Sequence, residues 1–318
     1  MSSTNSTILR EYYEVKSYFG TSVWIHFFYP AGLDVSHVAT ACWKKAQSIQ
    51  TYMNVYGEAM EGSLRWLNRG GIGGVRVHPD VYSILKGALA SSRLTDGAFD
   101  VTIYPLVEMW KEAAESGVLP DKTVLEDIKG SVGYQHVLLQ EPDLVFFTKK
   151  NMRIDLGSPA SGYFCDEVAK ILDLNNIQHY MIDGGGELFC RGKEMGHTPW
   201  RVGVQDPFDK DKLITMLELD GKGVSTSGNY EKFATIAGER YAHIIDPRTG
   251  YPQKGAASVT VIADTTQMAN ELSTALCVMG GEKGLAFVRN VENVEALIIE
   301  NKDGNITQYQ TDIFLNRK

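Results

Sequence analysis

Hydroxyl, imidazole and guanidinium side chains, which together suit an anionic substrate, are concentrated in residues 223–252. Ser225, Thr226 and Ser227 form a run of three hydroxyls in front of Gly228, a residue type that lets the backbone turn sharply. The run predicts a small polar surface beside a turn, where hydroxyl groups can donate hydrogen bonds to an anion.

The second half of this stretch adds one histidine and one arginine. Residues 241–246 alternate as a strand does, with His243 on one face and Asp246 on the other. Residues 247–250, Pro-Arg-Thr-Gly, predict a turn that carries Arg248. From the residues alone two interpretations stay open: a site for an anionic substrate, or a polar hairpin with solvated loops.

Hydrophobic periodicity and turn residues predict the elements that position this stretch. They indicate hairpins at 8–30 and 136–147, helices at 35–50, 79–92, 105–115 and 121–129, and strands at 101–103, 200–204, 213–219 and 258–264. Helices and strands alternate irregularly, with many hairpins. This pattern predicts an α+β fold rather than a doubly wound parallel sheet.

Small residues mark three further places of interest. A helix is expected to begin after Gly162, so that the small residues before it form a loop whose N–H groups can meet an anion. Residues 184–186 are three glycines between two strands, which indicates either a close approach to the backbone or a bulged turn. A helix over 268–281 places Asn270 and Thr274 on one face.

Length and composition are those of an ordinary globular protein. The chain has 318 residues, 43% of them hydrophobic and 22% charged, and we expect one domain over residues 1–318, or two intimately packed subdomains. The formal net charge is −8 and there is no run of lysine or arginine, so neither nucleic acid nor a membrane surface is indicated as a partner.

Cysteine usage and hydropathy bear on the compartment. The four cysteines form no CxxC pair and match no zinc spacing, so we interpret them as buried thiols, which favours a reducing environment. The N-terminal residues are polar, and no apolar run reaches the roughly 20 residues of a membrane helix. We expect a cytoplasmic protein without a membrane span, or a periplasmic one if a leader has been removed.

Several segments form an ordered set over about residues 15–300. They are FGTSVWIHFFY at 19–29, LNRGG at 67–71, TDGAFDVTIYPLVEMW at 95–110, DLGSPASGYFCD at 155–166, DGGGEL at 183–188, STSGNYEKF at 225–233, YAHIIDPRTGYP at 241–252, SVTVIAD at 258–264 and MANELSTALCVMGG at 268–281. Together they resemble the ApbE family of FAD:protein FMN transferases. The resemblance implies a T-fold-like architecture of mixed, largely antiparallel sheets with packed helices.

The resemblance also implies an activity. Such enzymes split the pyrophosphate of FAD with magnesium, pass FMN to a threonine hydroxyl of a target flavoprotein, and release AMP. Some members instead hydrolyse FAD to FMN and AMP. Transfer at phosphorus needs charge neutralisation on the phosphate oxygens and a positioned acceptor, and the segments above supply groups of that kind.

Site roles follow from matching positions. His243 is the implied general base or the residue that orients the acceptor, and Arg248 either holds phosphate or fixes its turn. The implied flavin and nucleotide pocket comprises Thr95, Asp96, Asp100, Gly185, Gly186, Glu187, Ser225, Thr226 and Ser227. For Asp96 a tight Asp-Gly turn is an equally good explanation. The implied magnesium ligands are the Ala160 carbonyl, Asn270 and Thr274.

Two segments depart from the family pattern. The usual DLGGIAKGY reads DLGSPASGY, so that Ser158 and Pro159 replace a glycine and an apolar residue, and Ser161 replaces a lysine. The metal-binding aspartate of the later helix is Asn270, which offers an amide oxygen without the charge that magnesium prefers. Ala242 stands where a serine is usual, a smaller change.

These departures leave two hypotheses. In the first, the chain is a working transferase with an altered metal site, in which Glu271 or another acid is recruited. In the second, it is a relative that binds FAD intact and has weak or lost transfer chemistry. The first is favoured because His243, Arg248 and Thr274 match the family. An unrelated structural α+β protein does not explain the ordered segments.

Overall fold

The helices lie close to the positions predicted from hydrophobic periodicity. A computed structural model describes residues 8–55, 58–195, 197–228, 233–302 and 304–315. Its helices are α1 (Ser36–Met53), α2 (Leu64–Gly70), α3 (Pro79–Leu94), α4 (Tyr104–Ser116), α5 (Lys122–Lys129), α6 (Gly157–Leu174), α7 (Thr266–Met279), α8 (Gly281–Val288) and α9 (Asp312–Leu315), with short 3₁₀ turns at Gly71–Gly73 and Tyr134–His136.

The strands include both predicted hairpins. They are β1 (Leu9–Tyr18), β2 (Thr21–Pro30), β3 (Val75–Arg76), β4 (Val137–Gln140), β5 (Leu144–Phe147), β6 (His179–Asp183), β7 (Leu188–Arg191), β8 (Lys193–Glu194), β9 (Thr198–Gln205), β10 (Leu213–Leu219), β11 (Lys222–Gly228), β12 (Phe233–Ile236), β13 (Glu239–Ala242), β14 (Ala256–Ala263), β15 (Glu295–Lys302) and β16 (Asn305–Gln310).

A large antiparallel sheet organises the molecule. Its strand order is β1-β2-β6-β7-β11-β14-β15-β16, and every neighbouring pair is antiparallel. Smaller sheets are formed by β10-β9-β8, β12-β13 and β3-β5-β4. Mixed helices and antiparallel sheets confirm the α+β prediction, and residues 229–232 of the quoted STSGNYEKF segment lie outside the described residues.

The core is divided between the two faces of this sheet. On one face, α1, α3 and α6 cover β2, and α7 with α8 covers β14 and β15. On the other face, β9 and β10 pack through Trp200 and Leu217 against Phe28 of β2. A smaller cluster joins α4 and α5 to the β12–β13 hairpin. Thus α6 and α7 lie side by side on one face, where the candidate site forms.

Three predicted boundaries are wrong. Residues 101–103 form turns rather than a strand, apart from one bridge between Ile103 and Arg153. The strand expected over 241–246 ends at Ala242. The third case is α6, which begins at Gly157, so the small residues before Gly162 form its first turn instead of a loop.

The cysteine prediction is confirmed, since Cys42, Cys165, Cys190 and Cys277 are buried free thiols. Within the described ranges, no helix combines the length and the apolar character needed to cross a membrane.

Candidate functional site

The crossing of α6 and α7 carries most of the predicted site residues. The helices approach closely at Gly162, where an added Cβ would lie 2.8 Å from the carbonyl oxygen of Thr266. Asp166 of α6 accepts hydrogen bonds from the backbone nitrogens of Thr266 at 2.7 Å and Gln267 at 2.9 Å. It therefore satisfies two of the N–H groups that a helix leaves open at its start. Burial raises the pKa of Asp166 to about 6.

Strand β11 runs beneath α7. A Cβ on Gly223 would lie 2.4 Å from the Thr266 nitrogen, so only glycine permits this contact. Further along the strand, the Ser227 hydroxyl lies 2.7 Å from the Ser273 hydroxyl and 3.5 Å from that of Thr274. The strand thus supplies hydroxyls to the side of α7 that packs on the sheet.

The three predicted hydroxyls of β11 do not converge. Ser225 shares a face with Ser227 because side chains alternate along a strand, so it also lies toward α7. It is only 1% exposed, and its hydroxyl has no hydrogen-bond partner among the described residues. Thr226 points to the opposite face, where its hydroxyl lies 2.9 Å from that of Thr260. Thr226 therefore does not share a face of β11 with Ser225 and Ser227.

Asn270 lies at the centre of the crossing. Its Oδ1 accepts a hydrogen bond from the Ser158 hydroxyl at 2.7 Å, and its Nδ2 donates to Oε1 of Glu187 at 3.0 Å. The Thr274 hydroxyl donates to the Asn270 backbone oxygen at 3.1 Å. Ala160 lies in the same first turn of α6 as Ser158. The structure thus brings the three implied metal positions and Glu187 to one place.

Glu187 is the carboxyl group of this site. Burial raises its pKa to about 7; a hydrogen bond from Ser161 lowers the value and the nearby charge of Asp183 raises it. Asp183 in turn accepts hydrogen bonds from the backbone nitrogens of Gly185 at 2.6 Å and Gly186 at 2.7 Å. Two acidic groups are therefore held close together by neutral donors.

The glycine run is explained mainly by the chain's own packing. A Cβ on Gly184 would lie 2.5 Å from the Ser161 carbonyl oxygen, and one on Gly185 would lie 2.2 Å from Cγ2 of Thr21. Gly185 and Gly186 have φ of +105° and +108°, a region that favours glycine. At Gly186 an added Cβ would meet no described atom within 4 Å, so of the three this glycine leaves room for a ligand.

Glu271, the acid expected to compensate for Asn270, has other partners. Its Oε1 accepts from Nε2 of Gln267 at 2.7 Å and its Oε2 accepts from the Ser91 hydroxyl. It is 1% exposed, and burial raises its pKa to about 7. The acid that contacts Asn270 is Glu187 instead.

Thr95 and Asp100 hold the backbone of their own neighbourhood. The Thr95 hydroxyl donates to the Ser91 carbonyl oxygen at 2.8 Å at the end of α3. Asp100 is buried, and it accepts from the nitrogen and hydroxyl of Thr102 at 2.8 and 2.7 Å and from the Tyr134 nitrogen at 2.8 Å. Burial raises its pKa. Both residues shape the segment 95–100.

Arg248 and Asp96 bring two predicted segments together. Arg248 donates from Nε and Nη2 to the two carboxylate oxygens of Asp246, at 2.9 and 3.0 Å. This pairing raises the pKa of Arg248, and the charge of Asp96 raises it further. Asp96 and Gly97 have φ of +48° and +72°, as the predicted Asp-Gly turn requires. Because two nitrogens of the Arg248 guanidinium already bind Asp246, this pairing favours the role in which Arg248 fixes its turn.

His243 lies just beyond the end of β13 and is exposed. The next residue, Ile244, packs with Ala269 and Leu272 of α7. The backbone that carries His243 is therefore held near α7 by Ile244, although His243 does not lie within a strand as predicted.

Two residues of the site were missed by sequence reasoning. In the sequence, Ser158 is a departure from the family pattern and not a predicted partner of Asn270, and Asp166 is not among the predicted site residues. Their partners lie 112 and 100 positions away along the chain, so no local pattern signals either contact.

The ApbE family model matches residues 19–298 of this chain. An FAD:protein FMN transferase of Escherichia coli (strain K12) is 34% identical over 213 residues, which are 65% of this chain and 61% of that protein. One of Haemophilus influenzae is 32% identical over 244 residues, 74% of this chain and 70% of that protein. The match thus spans less than two thirds of the length of the Escherichia coli relative.

Solved structures extend the similarity over nearly the whole chain. The ApbE protein of Thermotoga maritima has a TM-score of 0.81 at 31% identity and covers 94% of this chain and 97% of its own. The flavin transferase ApbE of Vibrio cholerae has a TM-score of 0.84 at 27% identity, with 98% of this chain and 100% of its own covered.

Proposed function

Because the chain belongs to the ApbE family, we propose that it is an FAD:protein FMN transferase. The observation that carries this proposal is the family match over residues 19–298, which includes every element of the α6–α7 crossing. In the proposed reaction, a threonine hydroxyl of a target flavoprotein forms a bond to the FMN phosphorus. The bridging P–O bond of the pyrophosphate breaks, and AMP leaves with its electron pair.

His243 is the proposed general base for the acceptor hydroxyl. Its exposed position beyond β13 supports this role, because an acceptor side chain arrives from outside the protein. Arg248 is proposed to act through Asp246, by holding the turn that follows His243. Both proposed roles are compatible with an exposed His243 imidazole.

FAD is proposed to bind along the open side of the α6–α7 crossing. Ser225, Ser227 and Glu187 contribute polar groups there, and Gly186 leaves space for the ligand. Thr95, Asp96, Asp100 and Gly185 support the pocket through the backbone they hold. Thr226, on the far face of β11, is left out of this proposal.

The resemblance implies magnesium at Ala160, Asn270 and Thr274, but the residues present do not fit it. A carbonyl, an amide and a hydroxyl carry no charge, and the Asn270 oxygen already accepts from Ser158. Magnesium prefers carboxylate oxygen, so no step of the reaction is assigned to a protein-bound ion.

One observation favours a second candidate, a relative that binds FAD intact with weak or lost transfer. The observation is the hydrogen-bond network that joins Ser158, Asn270 and Glu187. This network engages the side chains that the family resemblance would place around an ion. In this case the fold and the pocket are retained while catalysis is reduced.

Nucleotide chromatography separates these functions. The protein is incubated with FAD and a threonine-containing flavinylation substrate, with and without magnesium. AMP together with flavinylated substrate is the expected result for a transferase. AMP with free FMN indicates a pyrophosphatase, and intact FAD that co-elutes with the protein indicates the flavin-binding relative. Either of the last two results overturns the transferase proposal.

A further inference from the structure

Two departures from the family pattern contact each other. Ser158 stands where the family has a glycine, and Asn270 stands where it has an aspartate, yet their side chains are joined by a 2.7 Å hydrogen bond across 112 positions of the chain. Ser158 is useful to an amide at 270 because it gives the amide oxygen a donor. The two departures are therefore in direct contact.

The orientation of the Asn270 amide follows from its neighbours. The Asn270 nitrogen faces Glu187 and donates to its Oε1 at 3.0 Å. The amide oxygen then faces Ser158, whose hydroxyl can donate. An ion that coordinated the Asn270 oxygen would displace the Ser158 hydroxyl. A flipped amide would place its oxygen next to the Glu187 carboxylate, where the two acceptors repel each other.

The charge of the side chain at position 270 also matters for Glu187. A carboxylate at position 270 would lie about as close to Glu187 as the amide does, and two adjacent carboxylates repel unless a proton or a cation lies between them. An amide removes that repulsion and also gives Glu187 a donor. The hydroxyls that contact Asn270, those of Ser158 and Thr274, are neutral, and Asp183 adds a further negative charge near Glu187.

We propose that the Ser158–Asn270–Glu187 network replaces a divalent cation in this chain, so that FAD binds at the α6–α7 crossing without one. The part of this inference that concerns FAD rests on the proposed function; the part that concerns the cation rests on the hydrogen bonds alone.

Ser225 supplies a second, independent observation at the same place. Along β11, Gly223 lies under Thr266 and Ser227 lies beside Ser273, so Ser225 between them faces the α7 turn that holds Asn270. Its buried hydroxyl has no partner among the described residues. A buried hydroxyl without a partner is costly, and a phosphate oxygen of FAD would satisfy it without a cation.

The test measures Mn²⁺, which takes the same oxygen ligands as magnesium, by the electron paramagnetic resonance signal of the free ion. The wild-type chain is compared with Asn270→Asp, which restores a carboxylate. Asn290→Asp, at an exposed site beyond α8, adds the same charge elsewhere. We expect Asn270→Asp to bind one Mn²⁺ roughly tenfold or more tightly than either the wild type or Asn290→Asp.

The proposal is overturned if wild type and Asn270→Asp bind Mn²⁺ equally, whether both bind it or neither does. If Asn270→Asp does not fold, Mn²⁺ binding by the wild type is compared with binding by Asn270→Ala instead. One-to-one Mn²⁺ binding by the wild type that Asn270→Ala abolishes overturns the proposal, and no such binding supports it.

FAD affinity gives a readout independent of turnover. Flavin fluorescence is titrated with the wild-type protein in EDTA and in magnesium. Equal affinities support the proposal, and an affinity that is lost in EDTA and restored by magnesium overturns it. If FAD binds in neither buffer, the proposed function fails, while the Mn²⁺ comparison still decides whether the network replaces a cation.

Discussion

At the scale of single residues, His243 is the proposed general base. Replacing it with alanine removes the proposed proton acceptor, and the helices of the α6–α7 crossing do not depend on this exposed residue. We expect His243→Ala to slow FMN transfer by about 10²-fold or more and to leave FAD affinity unchanged.

Transfer is measured by gel fluorescence of the flavinylated substrate, with His37→Ala, an exposed residue of α1, as the matched control. Full activity in His243→Ala would remove this residue from the mechanism.

The buried carboxyl groups make stability depend on pH. Burial raises the pKa of Glu271 to about 7, above its ordinary value, so the folded chain binds more protons than the unfolded chain between about pH 5 and 7. The stability from this group is complete at low pH and is lost as pH rises through 7. Asp166 and Glu187 act in the same direction.

Glu271→Gln should flatten this dependence. The amide cannot ionise, and the Ser91 hydroxyl can accept a hydrogen bond where it now donates one. We expect the variant to gain on the order of 2 kcal/mol in free energy of unfolding at pH 8, and little at pH 5. Urea unfolding at both pH values measures this, with Glu112→Gln on the exposed side of α4 as control. An equal change at both pH values would contradict the burial argument.

At the scale of elements, the site depends on how closely α6 approaches α7. A Cβ on Gly162 would lie 2.8 Å from a backbone oxygen of Thr266 and 2.9 Å from the nitrogen of Gln267, so the helices must separate. We expect Gly162→Ala to cost about 1–3 kcal/mol and to weaken FAD binding.

Urea unfolding and FAD titration measure both effects. Gly73→Ala is the control, because its Cβ would meet no described atom within 4 Å. A Gly162→Ala protein as stable as the control would show that the crossing tolerates a wider spacing.

At the scale of the whole molecule, we propose that residues 1–318 form one cooperative unit. The eight-stranded sheet is continuous from β1 to β16, and Asp166 ties α6, in the largest core cluster, to the start of α7, which packs in another. Cooperative domains unfold without populated intermediates. If the chain instead consists of two subdomains, urea should unfold it in two steps.

Far-UV circular dichroism and tryptophan fluorescence should therefore give coincident urea transitions. Trp43, Trp110 and Trp200 belong to three different core clusters, so fluorescence samples separate regions. Transitions with different midpoints would favour two subdomains.

Local sequence patterns predict most of the helices and strands, and they indicate the family. Helical periodicity over 79–92, the hairpin signals at 8–30 and 136–147, and the glycine after α7 are local patterns, and each is confirmed. Local patterns suffice there because hydrogen bonding and side-chain direction repeat with the period of the element. The ordered segments indicate the family because each is contiguous in the chain, so that it is recognisable without the tertiary structure.

The contacts of the site residues emerge from the packing of helices and strands. It separated Thr226 from Ser225 and Ser227, assigned Glu271 to Gln267, and paired Ser158 with Asn270. It also extended α6 back to Gly157, because packing against α7 and β7 makes a helix of residues that have weak helix propensity. Contacts between residues about a hundred positions apart depend on how helices and strands pack, and no local pattern encodes that geometry.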